Sequence, residues 1–526
     1  MPPTPGEASK TCLVVTSEQG LAGSLGPGGA AQVLSLLERL VESRRSSGLD
    51  HLLYVPDRRS AGGSAGRTAA GAADLPPIEP PITAPALTAA LRLIEQQIYS
   101  GEPLGYVLLV GNEHVIPSCR IENPAMDSDS TYPSDAPYGV ADDAAGGDAY
   151  LIADRGVGRL PLGGGSGEGA GGGAGGGKGV GSNSGKAAGK AGGSLVAHLE
   201  GLLRAPDQTS GQPFGLGAAV WRDQAARVYG LVSDRPLRTS PPLALESFDP
   251  AWLGARTVLY FNVHGSKDER YWYGQEGLSY PRVLSPEVVA GANPGGSLVV
   301  CEACYGGLVE GKSPAASIAL QFLAGGCRAF VGSSAIAYGS PDERLTEADL
   351  LVYYFLKRVT AGERYGDAFR ECKTDFAAEM LRRQGYLDGD DKKTLTEFNL
   401  FGDPTLRLVG VGRGRGRGEM VSDEILDAIK RVVASRFPEM DGVEPDLAEE
   451  RTSLNGSLAK KVLARRPAAR EKGMGEGAGR RAAGIERRVF VASFSRLVIS
   501  EDRSVQRVVR VTFDECGEVL KVVTSK

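Results

Sequence analysis

The first 410 residues carry short, uninterrupted apolar runs separated by helix-length amphipathic stretches, and this alternation constrains the fold more than any other feature. Cys12–Val15, Leu52–Val55, Tyr106–Val110, Ala218–Trp221, Val258–Asn262, Leu298–Cys301 and Ala329–Gly332 read as strands. A strand that is apolar on both sides of its pleat must be covered on both faces, as in a mostly parallel sheet flanked by helices. Periodic apolar residues predict helices between them, at Ala31 to Leu40, Leu87–Ile98, Ser317–Ala324, Leu345–Arg358 and Asp367–Arg383. Gly20 to Gly29, just after the first strand, reads as a loose loop because it lacks both Lys and the GxGxxG order. At 526 residues the chain is too long for a single core, so more than one domain is expected.

Two breaks in composition divide it. Residues 163–193 contain 17 Gly in 31 and cannot supply a core, which predicts a flexible insertion or linker. The repeat Arg413-Gly414-Arg415-Gly416-Arg417-Gly418 marks a second boundary. The expected domains are therefore an α/β subdomain over 1–162, a second over 194–410, a linker over 411–418 and a small α+β domain over 419–526. That last domain would hold a helix (Glu424–Phe437), a polar basic stretch from about 443 to 486, and strands at Val489–Ile499, Val505–Phe513 and Val519–Val523. Residues 411–526 hold 23 Lys/Arg and 18 Asp/Glu, a net of +5, so the whole-chain charge of −5 leaves −10 on residues 1–410. An acidic body of that kind argues against nucleic acid as a partner. Neither a membrane-length apolar run nor a signal-like start is present, and seven Cys is an odd count spread thinly. A cytoplasmic, reducing setting without membrane contact is the expectation.

Histidine is scarce, with four in the chain. His51, His114 and His198 have no catalytic partner nearby in sequence, but His264 ends the apolar run Thr257–Val263 and is followed by Gly265. The run Ser297–Cys301 leads similarly into Glu302-Ala303-Cys304-Tyr305-Gly306-Gly307. Two buried strands would thus deliver a His and a Cys to their carboxyl ends, where open parallel sheets place active sites. A thiol attacks a carbonyl once a His takes its proton and later protonates the leaving amine. Nearby glycines would let backbone N–H groups face a developing oxyanion. A structural strand-end His with two buried Cys fits the same spacing.

The strand–His264-Gly265 and strand–Glu302-Ala303-Cys304 pattern resembles the caspase-like cysteine peptidases, and the gingipain family in particular. Further segments carry that resemblance in the family's order over roughly residues 10–410. They are Tyr106–Gly111 with Val115-Ile116-Pro117, Ser134–Gly139, Asp154–Pro161, Gly326–Ser334 and Asn399–Leu406. The resemblance implies a caspase-like α/β fold in two subdomains and an endopeptidase acting through an acyl-enzyme, with peptides or proteins as substrates. It implies Cys304 as nucleophile, His264 as general acid/base, the Gly265 and Cys304 amides as oxyanion donors, and Tyr338 as a wall of the primary specificity pocket. It places a specificity-pocket Asp and a Glu that orients the His after the second subdomain's first strand, where Asp223 is the one acid on offer for either role, and Asp223 reads equally as a helix N-cap. Asp127, Asp129, Asp135, Asp142, Asp143 and Asp148 form an Asp-rich stretch that could take calcium through carboxylate oxygens or be a solvated acidic loop. No organic cofactor is implied.

Other readings compete. A catalytically inactive binding or regulatory protein of the same fold would share these motifs. Gly306 to Ser313 satisfies GxxxxGK[ST], although neither nearby strand ends in a magnesium-binding Asp and Pro314 follows the Ser. Cys301-x-x-Cys304 has redox-pair spacing, but a Cys301 facing the core could not resolve a disulfide. Residues 451–488, with 11 Lys/Arg against three Glu, could be a nucleic-acid tail or a solvated run. They could equally be a self-cleavage substrate at Lys460-Lys461, Arg465-Arg466 or Arg480-Arg481.

Overall fold

A computed structural model of the chain describes residues 11–46, 49–58, 75–98, 104–141, 147–163, 195–204, 211–339, 344–408, 423–452, 487–500, 503–514 and 519–524. Most of the Gly-rich stretch, the Arg-Gly linker, most of the basic stretch with its Lys and Arg pairs, and Asp142 and Asp143 lie outside the described residues. The chain divides into two compact units, Met1–Gly416 and Arg417–Lys526.

In the first unit the strands are β1 (Cys12–Val15), β2 (His51–Tyr54), β3 (Tyr106–Val110), β4 (Cys119–Glu122), β5 (Thr131–Ser134), β6 (Gly156–Leu160), β7 (Phe214–Ala218) and β8 (Arg238–Ser240). They continue with β9 (Val258–Asn262), β10 (Trp272–Tyr273), β11 (Arg282–Leu284), β12 (Leu298–Cys301), β13 (Ala329–Ser333) and β14 (Phe398–Gly402). The helices are α1 (Glu18–Ser46), α2 (Ala84–Ile98), α3 (195–204), α4 (Arg222–Tyr229), α5 (Pro286–Gly291), α6 (Ile318–Ala324), α7 (Glu347–Thr360), α8 (Tyr365–Gln384) and α9 (Gly389–Glu397). Ten strands form one sheet in the order β2-β1-β3-β6-β14-β13-β12-β9-β7-β8. β4 with β5, and β10 with β11, pair as separate antiparallel hairpins.

The large sheet is two parallel blocks set head to tail. β2, β1, β3, β6 and β14 run one way, β13, β12, β9, β7 and β8 the other, and the antiparallel β13–β14 pair is the seam. At that seam Ser333 pairs with Phe398, so the carboxyl ends of the second block adjoin the amino end of β14. This gives the expected α/β architecture, with a mostly parallel sheet covered by helices. Alternation along each strand sends side chains to opposite faces. Val258, Tyr260, Leu298 and Val300 enter one apolar core, while Leu259, Phe261, Val299 and Cys301 enter the other.

Several elements differ from the sequence expectation. The strand expected at Ala218–Trp221 is Phe214–Ala218, because Gly215 and Gly217 break its apolar signal; residues 219–221 are instead a 3-10 turn into α4. The glycine-rich segment after β1 is not a loop but the first turns of α1, which kinks where Gly26 takes φ 74°. Ser17 starts that helix, its hydroxyl accepting from the Gly20 amide at 2.8 Å and donating to Asp57 at 2.7 Å.

The second unit holds α10 (Asp423–Arg436) and a four-stranded antiparallel meander of β15 (Asp446–Thr452), β16 (Arg487–Ser500), β17 (Arg503–Asp514) and β18 (Val519–Thr524). Ala492 and Phe494 pair with Val511 and Val509, and these pack with Ile429 and Val433 of α10. β15 begins inside the stretch read as polar and irregular; it is an edge strand, where backbone pairing outweighs the lack of an apolar pattern. Among the described residues no helix is long and apolar enough to cross a membrane.

Candidate active site

β9 and β12 are adjacent and parallel, with Phe261 paired to Cys301. His264 and Cys304 each lie three residues beyond that pair, so the two turns meet at one level. Gly265 makes the meeting possible: a Cβ there would stand 2.1 Å from the Cys304 carbonyl oxygen.

His264 is fixed at every side. Its backbone exchanges two hydrogen bonds with Tyr273 of β10, at 2.9 and 3.0 Å. The imidazole lies against the rings of Trp221, 4.4 Å between centroids, and Tyr280, 5.4 Å. Its Nε2 is 2.8 Å from Gln275 Oε1. Burial pushes the imidazole below its ordinary pKa, and the Gln275 hydrogen bond opposes that shift in part. It is therefore neutral near pH 7.

The Cys304 thiol donates to the Ala337 carbonyl at 3.3 Å. Burial raises the thiol above its ordinary value. The next residue, Tyr305, has φ 56°, a left-handed conformation that costs a non-glycine residue free energy. Two bonds hold it there: its amide donates to the Ala335 carbonyl at 2.8 Å and its hydroxyl to Asp129 at 2.7 Å. A small cleft opens beside Cys304, lined in part by Ser266, Glu269, Trp272, Leu308 and Lys312.

The Asp-rich stretch supplies a strut. Asp129 also accepts from the Ile336 amide at 2.9 Å, and Asp127 accepts from the Tyr338 hydroxyl at 2.6 Å. The Lys393 ammonium of α9 lies between the two carboxylates, 2.6 Å from Asp127 and 3.0 Å from Asp129. Burial alone would raise both carboxyls, but the bonds from Lys393, Tyr338, Tyr305 and the Ile336 amide hold them below the usual carboxylate range. A protein cation thus occupies the place between these oxygens. Asp135 is engaged bidentately by buried Arg159 at 2.6 and 2.7 Å, and Asp148 pairs with Lys392 at 2.8 Å. Among the described residues no group of three or more His, Cys, Asp or Glu is arranged to hold a metal ion.

Tyr338 accordingly lies next to Ala337, which receives the Cys304 thiol, with its hydroxyl tied to Asp127. Asp223 is exposed in the first turn of α4, where a carboxylate complements the helix dipole. Trp221, two residues earlier, is the one against His264. Cys301 is wholly buried in the second core with its thiol pushed up by burial, away from any redox partnership, and the six cysteines among the described residues are free. After β12 the chain turns without helix until Ile318, and Lys312 donates to the Lys267 carbonyl at 2.9 Å, so Gly306 to Ser313 does not cap a helix as a phosphate cradle would.

Sequence reasoning missed Gln275, Trp221, Lys393 and Glu302. The Glu302 carboxyl is raised by burial and by Asp349 beside it, and it accepts from Tyr260 at 2.8 Å beneath the Cys304 turn. Glu302 alone carried a signal, its place two residues before the nucleophile candidate.

Residues 8–164 and 244–409 match Peptidase family C25, over more than half of the chain. The chain is a cysteine-type peptidase by family: it belongs to Peptidase family C25, the gingipain family. No curated protein matches the sequence. A solved structure described as "Structure of Protease" is 10% identical, with a TM-score of 0.48, over 99% of this chain and 98% of the other.

Proposed function

We propose that the chain is an endopeptidase in which Cys304 and His264 form a catalytic dyad. The observation that carries this is the equal offset of the two residues beyond the Phe261–Cys301 pair, with Gly265 packed on the Cys304 backbone. With Nε2 engaged by Gln275, His264 Nδ1 is the basic nitrogen and takes the thiol proton. The sulfur then attacks the scissile carbonyl carbon. Among the described residues the Gly265 and Cys304 amides make no hydrogen bond to another residue, so both can serve the tetrahedral oxyanion. The imidazolium returns its proton to the leaving amine, and a water deprotonated by His264 hydrolyses the thioester. Because burial favours thiol over thiolate and neutral over charged imidazole, the resting pair is neutral and the proton moves as substrate reacts. The side chain preferred before the cut is not fixed by this geometry.

Fluorogenic peptides with Arg, Lys, Asn or Asp before the scissile bond test the reading. Turnover of one class by the wild type, abolished in Cys304→Ala and His264→Ala, is expected. Folded wild type without turnover, or activity surviving Cys304→Ala, would sink it and favour a binding or regulatory role.

A further inference from the structure

We propose that Gln275 is the positioning residue that sets the tautomer and orientation of His264, so that a neutral amide performs the work of an orienting carboxylate. The inference rests on the dyad proposed above and adds a named residue to it.

Gln275 is held by four bonds independent of the histidine. Its backbone amide donates to the Ser240 carbonyl at 3.0 Å, and its carbonyl accepts from the Val220 amide at 3.0 Å. Its side-chain Nε2 donates to the Gly277 carbonyl at 3.1 Å and to the Tyr280 hydroxyl at 2.9 Å. A carbonyl can only accept, so the Gly277 bond fixes which end of the amide is NH2. The other end, Oε1, must face His264, and since Oε1 can only accept, Nε2 of the imidazole must carry the proton. The lone pair is then on Nδ1. Trp221 and Tyr280 prevent the ring from turning about this bond. The backbone of Gln275 is reached through Gly274, where a Cβ would stand 2.1 Å from the Ser240 hydroxyl oxygen. The chain therefore accepts a close approach of hairpin to β8 in order to place this amide.

No carboxylate on the surrounding elements takes the role. Asp223, beyond Trp221, is exposed on α4, and Glu276 is exposed beyond Gln275. Glu269 accepts from the Tyr273 hydroxyl, and Glu302 is engaged with Tyr260 and Asp349. Tyr280 lies beside the ring, Tyr273 pairs with its backbone and Cys304 ends the adjoining turn, while Asp268, Lys267, Arg270, Arg282 and Arg222 on the same elements are exposed. A carboxylate would favour the imidazolium by its charge, whereas an amide orients the ring without doing so.

The test combines kinetics across pH with nitrogen NMR of the histidine rings in the full chain. With four histidines in the sequence, His264 is assignable by its loss in His264→Ala. In the wild type the ring is expected as the Nε2-protonated tautomer. Gln275→Ala should mix the tautomers and lower kcat roughly 10²-fold with KM little changed. Gln275→Glu should recover part of that kcat and move the acid limb of kcat/KM upward by about one to three pH units. A merely structural Gln275 would not move that limb. An Nδ1-protonated ring in the wild type, an unchanged tautomer and kcat in Gln275→Ala, or superimposable pH profiles for Gln275→Glu and wild type would each overturn the proposal. If wild-type turnover does not depend on Cys304, the dyad reading fails, and the NMR result still decides whether Gln275 sets the ring.

Discussion

The two halves of the candidate site end neighbouring strands at the same level, yet their supports are opposite in kind. His264 is held by neutral groups: two aromatic rings, one amide and a backbone pair. Cys304 lies beside an ionic strut in which Lys393 binds Asp127 and Asp129, and these carboxylates hold Tyr305, Ile336 and Tyr338. The difference matches what each half would do in the proposed dyad. In the proposed dyad the imidazole accepts a proton, and a nearby formal charge would alter it. The turns around a thiol need stiffness, and Tyr305 needs an external hold because its own conformation is strained. Ionic ties are strong there because Lys393 is buried and its charge is shared between two carboxylates.

The largest effect that could break this comparison comes from Lys393→Met. It leaves buried Asp129 and half-buried Asp127 facing each other without a cation, and should cost about 3–5 kcal/mol by urea denaturation together with most of the turnover. A loss below about 1 kcal/mol would mean that the tyrosine and amide bonds suffice. Tyr338→Phe removes one bond to a charged acceptor and should cost about 1.5–3 kcal/mol, with activity reduced but measurable. On the neutral side, Trp221→Leu gives up a ring contact of about 0.5–1.5 kcal/mol, so stability should change little while kcat falls. If stability fell as far as in Lys393→Met, the histidine side would be the stiffer one.

A last test sharpens the comparison through pH. Asp127 and Asp129 have lowered native pKa values, so the unfolded chain binds more protons; their contribution is present above the usual carboxylate range and is lost as pH falls from that range through the lowered native values. Glu397, wholly buried near Lys393, has its carboxyl pushed up by burial from 4.5 to about 8. Here the folded chain binds more protons, so stability declines as pH rises from about 4.5 to about 8. A denaturation midpoint measured across pH should fall on both sides, and Glu397→Gln should flatten only the alkaline side.

Much of the catalytic half was legible because its signals are local. The apolar runs at Val258–Asn262, Leu298–Cys301 and Ala329–Ser333 mark strands without knowledge of neighbours, and the residues that end them follow. The motifs around Asp135, Arg159 and Asp403 were legible as text but not as physics. They are ion pairs made in the fold: Arg159 on Asp135 is buried, and Arg44 reaches across 359 positions to buried Asp403. Gln275 and Lys393 left no trace because an amide or ammonium acquires its role only from partners brought by other elements. β7 was misplaced by two glycines, and the Asp-rich stretch suggested a cation without showing that α9 would bring one.

The seam of the large sheet bears on how the chain is made. β14 is the last strand of its unit to be synthesised, yet it fills the gap between β6 and β13 near the middle of the order. Until Phe398–Gly402 emerges, the facing edges of β6 and β13 are open ladders, and pairing across them requires partners more than 200 residues apart on the β6 side. A ribosome-bound chain that has passed Cys304 but not Phe398 holds its candidate nucleophile in half a sheet. The order of strands alone therefore delays assembly of a peptidase until nearly all of its unit has been translated.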